Sequence, residues 1–314
     1  VVNPKFEPAY LALLRSGELE RRVKQAYERM HACDLCPRQC DVDRAEETGA
    51  CRTGMEAVVS SFAPHFGEED PLRGYSGSGT IFFAWCNLNC QYCQNYDISQ
   101  LGRGRAVEAE DLASMMLTLQ SQGCHNINLV SPSHVVAPIL AALLIAAEAG
   151  LRRPIVYNTG GYDAASTLEL LDGVVDIYMP DMKYADAEVG HRYSRVRNYP
   201  QINQAAVREM HRQVGDLVLD QDGIALRGLL IRHLILPGGL AGTAEIARFL
   251  AQEISQNTYI NVMDQYRPCY RAHELPPLNR SITPAEYEAA IETARRSGLH
   301  RFDQRRPRSL RLLW

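Results

Sequence analysis

Apolar and polar positions follow two rhythms along this chain. Near the start, Leu19, Val23, Ala26 and Tyr27 recur at helical spacing inside a charged stretch, which predicts one amphipathic helix over 17–30. From residue 80 onward, short apolar runs alternate with longer segments of helical period. The runs at 81–84, 126–130, 154–157, 174–179, 229–236 and 259–263 read as strands. The segments at 110–122, 134–149, 164–171, 203–214, 243–254 and 284–297 read as helices. Strand and helix in strict alternation predict an α/β fold with a parallel sheet and right-handed crossovers. Six units fall short of the eight of a closed barrel, and chemistry in such folds gathers at the carboxyl ends of the strands.

Ahead of these units, residues 60–79 hold Pro64-His65-Phe66-Gly67-Glu68-Glu69-Asp70 and the glycine-rich Gly74-Tyr75-Ser76-Gly77-Ser78-Gly79. No Walker lysine follows those glycines, so they read as a turn into the first strand rather than a phosphate cradle. Three segments result: an N-terminal helix and cysteine-rich extension over 1–73, the strand–helix domain over 74–275, and a C-terminal helical extension over 276–314.

Composition narrows the class. With 314 residues and 46% hydrophobic content, the chain can bury the core of one large domain with a small appendage. A formal net charge of −4 gives no basic footprint and argues against nucleic acid as the main partner. The apolar segment 135–147 is short for a membrane span and closes on Glu148 and Gly150, so it reads as a buried helix. Residues 1–14 carry charges and a proline rather than the apolar core of a secretory leader, which predicts a cytoplasmic location. Nine cysteines without secretory features point to metal ligation under reducing conditions.

The cysteines fall into two groups. Cys86, Cys90 and Cys93 stand at C-x3-C-x2-C directly after the first strand. Three thiolates can hold three irons of a [4Fe–4S] cube and leave the fourth iron open to a small molecule. Cys33, Cys36, Cys40 and Cys51 form a C-x2-C-x3-C-x10-C set with glycine and proline among them, as a tight knuckle needs. A closed four-thiolate set suits an auxiliary iron–sulfur cluster or structural zinc, and free or redox-active thiols are the third option. Cys124 reads as structural, and His65, His125, His211 and His273 as surface or internally satisfied residues.

With Tyr92 between the last two cysteines, Cys86 to Cys93 resembles the motif of radical S-adenosylmethionine (SAM) enzymes. The resemblance implies a partial (β/α)6 TIM-like barrel in which the methionine end of SAM chelates the open iron and Tyr92 packs near the adenine. Strand-end motifs carry it further. Asn158-Thr159-Gly160-Gly161, Pro180-Asp181-Met182-Lys183, Ile231-Arg232-His233 and Asp264-Gln265-Tyr266-Arg267-Pro268 look like those of pyruvate formate-lyase activating enzyme. By that likeness Lys183 and Arg232 would contact the SAM carboxylate, as a carboxylate in a dry barrel requires a charged partner. Asp181 and Thr159 would lie near a cation or ribose site, with Asn158 standing where the activating enzyme has an acid. Gln265 joins the candidate cofactor contacts. After the second strand, Ser131-Pro132-Ser133-His134 replaces the family's Gly-Gly-Glu-Pro-like motif, so Ser131, Ser133 or exposed backbone carbonyls would accept from the SAM ammonium, and His134 is either a further cofactor contact or an ordinary helix N-terminal residue.

The N-terminal Cys-x-Leu-Cys-Pro-Arg-x-Cys group and the late Gln265-Tyr266-Arg267-Pro268-Cys269 resemble a branch of iron–sulfur proteins similar to that activating enzyme. Cys269 could return a hydrogen atom to a substrate radical. The resemblance implies reductive SAM cleavage to a 5′-deoxyadenosyl radical, hydrogen abstraction from substrate, and reduced flavodoxin or ferredoxin as electron donor. Three functions stay open: an enzyme acting on a protein or peptide, including glycyl-radical installation; an enzyme acting on a small metabolite; and a non-catalytic iron–sulfur carrier.

Overall fold

The computed structural model describes residues 6–303. Its strands are β1 (Ala57–His65), β2 (Ser78–Phe83), β3 (Arg105–Val107), β4 (Ile127–Val130) and β5 (Ile155–Thr159). Then follow β6 (Ile177–Pro180), β7 (Val218–Leu219), β8 (Ala225–Leu234), β9 (Tyr259–Met263) and β10 (Arg301–Phe302). The helices are α1 (Tyr10–Ser16), α2 (Glu18–Glu28), α3 (Asp70–Arg73), α4 (Tyr96–Ser99), α5 (Ala109–Ser121) and α6 (Val136–Glu148). The remainder are α7 (Ala165–Leu170), α8 (Ala187–Ser194), α9 (Tyr199–Val214), α10 (Thr243–Phe249) and α11 (Pro284–Arg296).

From one edge the sheet runs β10, β9, β8, β6, β5, β4, β2, β1, β3, with β7 paired to β8. Every pairing along the path from β10 to β2 is parallel, while β1 joins β2 and β3 antiparallel. Alternate residues sort to two faces, as the period of two demands. Ile81, Phe83, Ile127, Leu129, Ile155, Leu229, Ile231 and Ile260 share one core with the helices. Val156, Ile177, Met179 and Leu230 face the other way and close over Leu72 and Leu217. The sheet curls around this inner face. Glu69, from the β1–β2 connection, accepts a hydrogen bond from Asn261 of β9 at 2.7 Å, so opposite ends of the parallel run meet.

The apolar segment at 135–147 is α6, packed between α5 and α2. Among the described residues no helix is long and apolar enough to cross a membrane. Most strands and helices fall where the apolar rhythm places them. β1 is the main departure, because it lies partly in what reads as a linker. Its outer half, Phe62 to His65, is exposed or half-buried at the sheet margin, which removes the clean alternation of a core strand. β1 belongs by sequence to the extension over 1–73 and pairs with β2 across that boundary. Helix α8 is a second departure, in the long connection after β6. Within the C-terminal extension over 276–314, β10 pairs with β9, and residues 304–314 lie outside the described residues.

Candidate functional site

β2 delivers the chain to the cysteine loop at the carboxyl end of the sheet. Trp85 opens that loop with φ 66°, a left-handed conformation costly for a bulky side chain. Two contacts hold it there. Arg52 lies over the indole at 5.2 Å, and Gly102 leaves room for the ring, since a β-carbon on it would fall 2.1 Å from Trp85 Cζ2. α8 braces the loop from the other side. Asn89 N donates to Ser194 O at 3.2 Å and Gln91 N to Tyr193 O at 2.8 Å.

Each sulfur of the loop has a polar neighbour. Leu88 N donates to Cys86 Sγ at 3.4 Å, Cys90 Sγ lies 2.9 Å from Ser194 Oγ, and Cys93 Sγ lies 3.1 Å from Ser99 Oγ. Burial pushes the Cys86 thiol up to about 12 and Cys90 to about 11, and moves Cys93 the same way. The donors around the sulfurs and their place on one short loop fit an iron–sulfur cluster.

Opposite the loop, the inner face of the sheet is polar. Arg232 on β8 is the hub: its Nε lies 3.3 Å from Glu69 Oε1 and 3.7 Å from Asp181 Oδ1, and its Nη1 donates to Asn158 Oδ1 at 3.4 Å. Lys183 Nζ is paired with Asp181 Oδ2. Burial opposes the charges of both cations, but their carboxylate partners outweigh it and keep them protonated. Glu69 is 1% exposed, and burial raises its pKa against the pull of Arg232. Several buried atoms here have no hydrogen-bond partner: Glu69 Oε2, Gln265 Oε1, and both side-chain polar atoms of Asn128, while Asp181 Oδ1 has only its longer ion pair with Arg232. Asn128 is in register with inward-facing Val156 of β5, one layer below Asn158.

Gly161 sets the backbone beneath this group. It has φ 74°, and a β-carbon on it would lie 2.1 Å from Asp181 O and 2.3 Å from Asn203 Nδ2. Gly161→Ala is expected to lower stability by at least about 2 kcal/mol and to displace Asp181. Urea titration of both proteins measures the loss, and an unchanged midpoint would contradict this packing.

The other cysteine group forms an enclosed pocket. Cys33, Cys36, Cys40 and Cys51 line it together with Arg44, Gly49 and His134. Gly49 packs against Cys40 Sγ, and Ala50 N donates to that sulfur at 3.3 Å. Residues beside these cysteines take left-handed backbone: Gln39, Asp41 and Arg52 have φ of 43°, 56° and 56°. Such single-residue reversals let a short chain return several side chains to one point.

Comparison with known proteins decides the family. The model of the radical SAM superfamily matches residues 80–250. The chain belongs to the radical SAM superfamily. An uncharacterised protein of Methanocaldococcus jannaschii is 32% identical over 297 residues, which is 92% of this chain and 82% of its own length. A radical SAM methyltransferase from Sphaerobacter thermophilus superposes with a TM-score of 0.51 at 15% identity, over 93% of this chain and 91% of its own, a likeness of fold. Membership implies a [4Fe–4S] cluster and SAM as cofactors.

Within this radical SAM fold, the residues expected to face SAM divide into two sets. Asp181, Lys183, Arg232, Asn158 and Gln265 gather at the strand ends around the inner face. Tyr92 is buried among tyrosines, its hydroxyl accepting from Tyr184 OH at 2.7 Å. Ser131 sits at the end of β4 with φ 60°. Ser133 and Thr159 are occupied with each other at 3.0 Å, and Thr159 Oγ1 also donates to Asp163 Oδ2 at 2.7 Å. A buried hydroxyl pair spent on internal bonds has little capacity left for a ligand. His134 lies elsewhere: its Nε2 meets Ala84 O at 3.0 Å and its ring lines the N-terminal cysteine pocket. Burial holds it neutral, with its pKa lowered to about 4.

Cys269 lies on the segment that covers the cysteine loop. There Arg271 N donates to Gln91 O at 3.0 Å, Gln94 Nε2 donates to Gln265 O at 2.9 Å, and Tyr96 stacks on Tyr270 at 5.2 Å. His125, read as a surface or internally satisfied residue, accepts from Ser76 N at 3.1 Å. Glu69 and Asn128 are the residues sequence reasoning missed. A polar residue at an inward position between Ile127 and Leu129 was the available signal for Asn128.

Proposed function

We propose that this protein is an enzyme that reductively cleaves SAM at a cluster held by Cys86, Cys90 and Cys93, and removes hydrogen from a small polar substrate inside the barrel. The bound cluster supplies the electron that splits SAM into methionine and a carbon-centred radical able to take that hydrogen. Three loop thiols within the field of Lys183, which shares its partner Asp181 with Arg232, carry the reading. The thiols would hold a cluster with one iron left open, and Lys183 and Arg232 would receive the carboxylate of SAM. Gln265 and Asn158 add neutral hydrogen bonds at the same level. The segment around Cys269 shields the loop from water.

The unpartnered atoms of Glu69 and Asn128 favour a small substrate over a peptide backbone. Buried polar atoms without protein partners cost free energy, so those of Glu69 and Asn128 are candidate positions for a ligand's polar groups. Glu69 takes a donor and Asn128 a paired donor and acceptor. The activating-enzyme likeness of Asp181-Met182-Lys183 supports the other reading, a peptidyl substrate, with one side chain reaching the same lumen. The electron comes from a reduced flavodoxin or ferredoxin.

Anaerobic incubation of the reconstituted protein with dithionite and SAM tests the proposal, with 5′-deoxyadenosine as the measured product. Product above the protein-free control supports it. None, with iron bound, would leave a carrier in place of an enzyme. Lys183→Met is expected to weaken SAM binding about 10- to 100-fold, the loss of one charge-assisted hydrogen bond of roughly 1.5–3 kcal/mol. Calorimetric titration with SAM checks it, and unaltered affinity would remove Lys183 from the site.

A further inference from the structure

The N-terminal cysteine pocket and the radical-forming loop share a wall. A single cleft is lined by Cys51 of the first group and Cys86 of the second, with Trp85, Arg38, Arg52 and Arg195 around them. Arg38 fastens the two parts, its Nε donating to Asn87 O at 2.8 Å and its Nη1 to Arg195 O at 3.1 Å. Arg52, next to Cys51, covers Trp85, next to Cys86.

Inside the pocket stands a cation with a free donor. Arg44 is 3% exposed; its Nε donates to Thr53 O at 3.0 Å and its Nη1 to His134 O at 2.7 Å. Its Nη2 is buried with no partner. A guanidinium in that state calls for an anionic acceptor, and no carboxylate lines the pocket.

Structural zinc draws its four ligands onto one point, whereas a cube gives each thiolate its own iron and adds sulfides that accept hydrogen bonds. Zinc also carries no electrons.

We infer that Cys33, Cys36, Cys40 and Cys51 hold a second iron–sulfur cluster, hydrogen-bonded by Arg44, which passes electrons to the cluster at Cys86, Cys90 and Cys93. One electron leaves a reduced flavin or iron–sulfur protein, reduces the N-terminal cluster and moves on to the loop cluster. No atom or proton is transferred, and the donor ends one electron oxidised. The arginine-lined cleft sets the two centres side by side and offers positive charge to an acidic donor. The relay rests on the proposed loop cluster; the second cluster itself does not.

Three proteins test it: the wild type, Cys33→Ala/Cys36→Ala, and Cys86→Ala/Cys90→Ala/Cys93→Ala. After anaerobic reconstitution, the wild type is expected to hold about twice the iron and acid-labile sulfide of either variant. Its reduced electron paramagnetic resonance signal is expected to be broadened by the neighbouring spin, and each variant's signal to be narrow. Stoichiometric zinc without sulfide in the loop variant would overturn the second cluster, as would no metal in it at all. That readout stands even where the N-terminal variant fails to fold. With reduced flavodoxin as donor, reduction of the loop cluster in the N-terminal variant is expected to slow at least about tenfold, an added barrier of about 1.4 kcal/mol. An unchanged rate would overturn the relay and leave the second cluster in place.

Discussion

Alanine at Cys86, Cys90 and Cys93 together is expected to cut 5′-deoxyadenosine formation to the level of the protein-free control. A fall of at least about a thousandfold, ~4 kcal/mol in the activation barrier, follows from losing the ligands that bring an iron to SAM. The three sulfurs sit on one loop whose backbone is fixed independently of them. Asn89 and Gln91 are tied to α8, Trp85 is wedged against Gly102, and Arg38 holds Asn87. The variant should therefore keep its fold, with far-ultraviolet circular dichroism superposable on that of the wild type. Ser194→Ala supplies a graded comparison, because it removes one partner of Cys90 and no ligand. It should retain iron and most of the product. Product surviving in the triple variant would place cleavage at another centre.

The cysteine loop was legible because its chemistry is local. Its three cysteines lie within eight residues, and the strand that presents them is an uninterrupted apolar run. Lys183 and Arg232 were legible for a related reason: charges at the ends of parallel strands point to one mouth, whatever the distance along the chain. Glu69 was not, because its partners are Arg232 and Asn261, and only the curl of the sheet brings the β1–β2 connection to β8 and β9. Composition of that connection, rich in glycine and acids, gives the same reading as an ordinary loop. α8 had a local signal in Asp186, whose carboxylate accepts from Glu188 N and Val189 N. Its role as the brace of the cysteine loop depends on tertiary contact and had no such signal. His134 shows the opposite failure. Its position after β4 suggested the SAM side, while the Arg44 bond to its carbonyl draws that turn toward the N-terminal pocket.

Arg232→Leu is expected to destabilise the protein by about 3 kcal/mol, because it leaves the Glu69 carboxylate buried without its cation. Removing one partner of a buried pair costs more than the pair contributes, so the double variant Arg232→Leu/Glu69→Leu should recover most of the loss. The pH dependence gives a second readout. Burial already raises the Glu69 pKa, and Arg232 is the charge that pulls it back. Without Arg232 the folded state holds the proton on Glu69 over a pH range where the unfolded chain has released it. The folded state then binds more protons than the unfolded one, and stability falls as pH rises. The deficit of Arg232→Leu relative to wild type should accordingly be small near the ordinary carboxylate range and grow toward neutral pH. Guanidinium titrations of the three proteins across that range measure it. A deficit independent of pH, or one that the double variant leaves unrelieved, would mean that Arg232 stabilises the barrel by packing its aliphatic stem and that Glu69 answers to another partner.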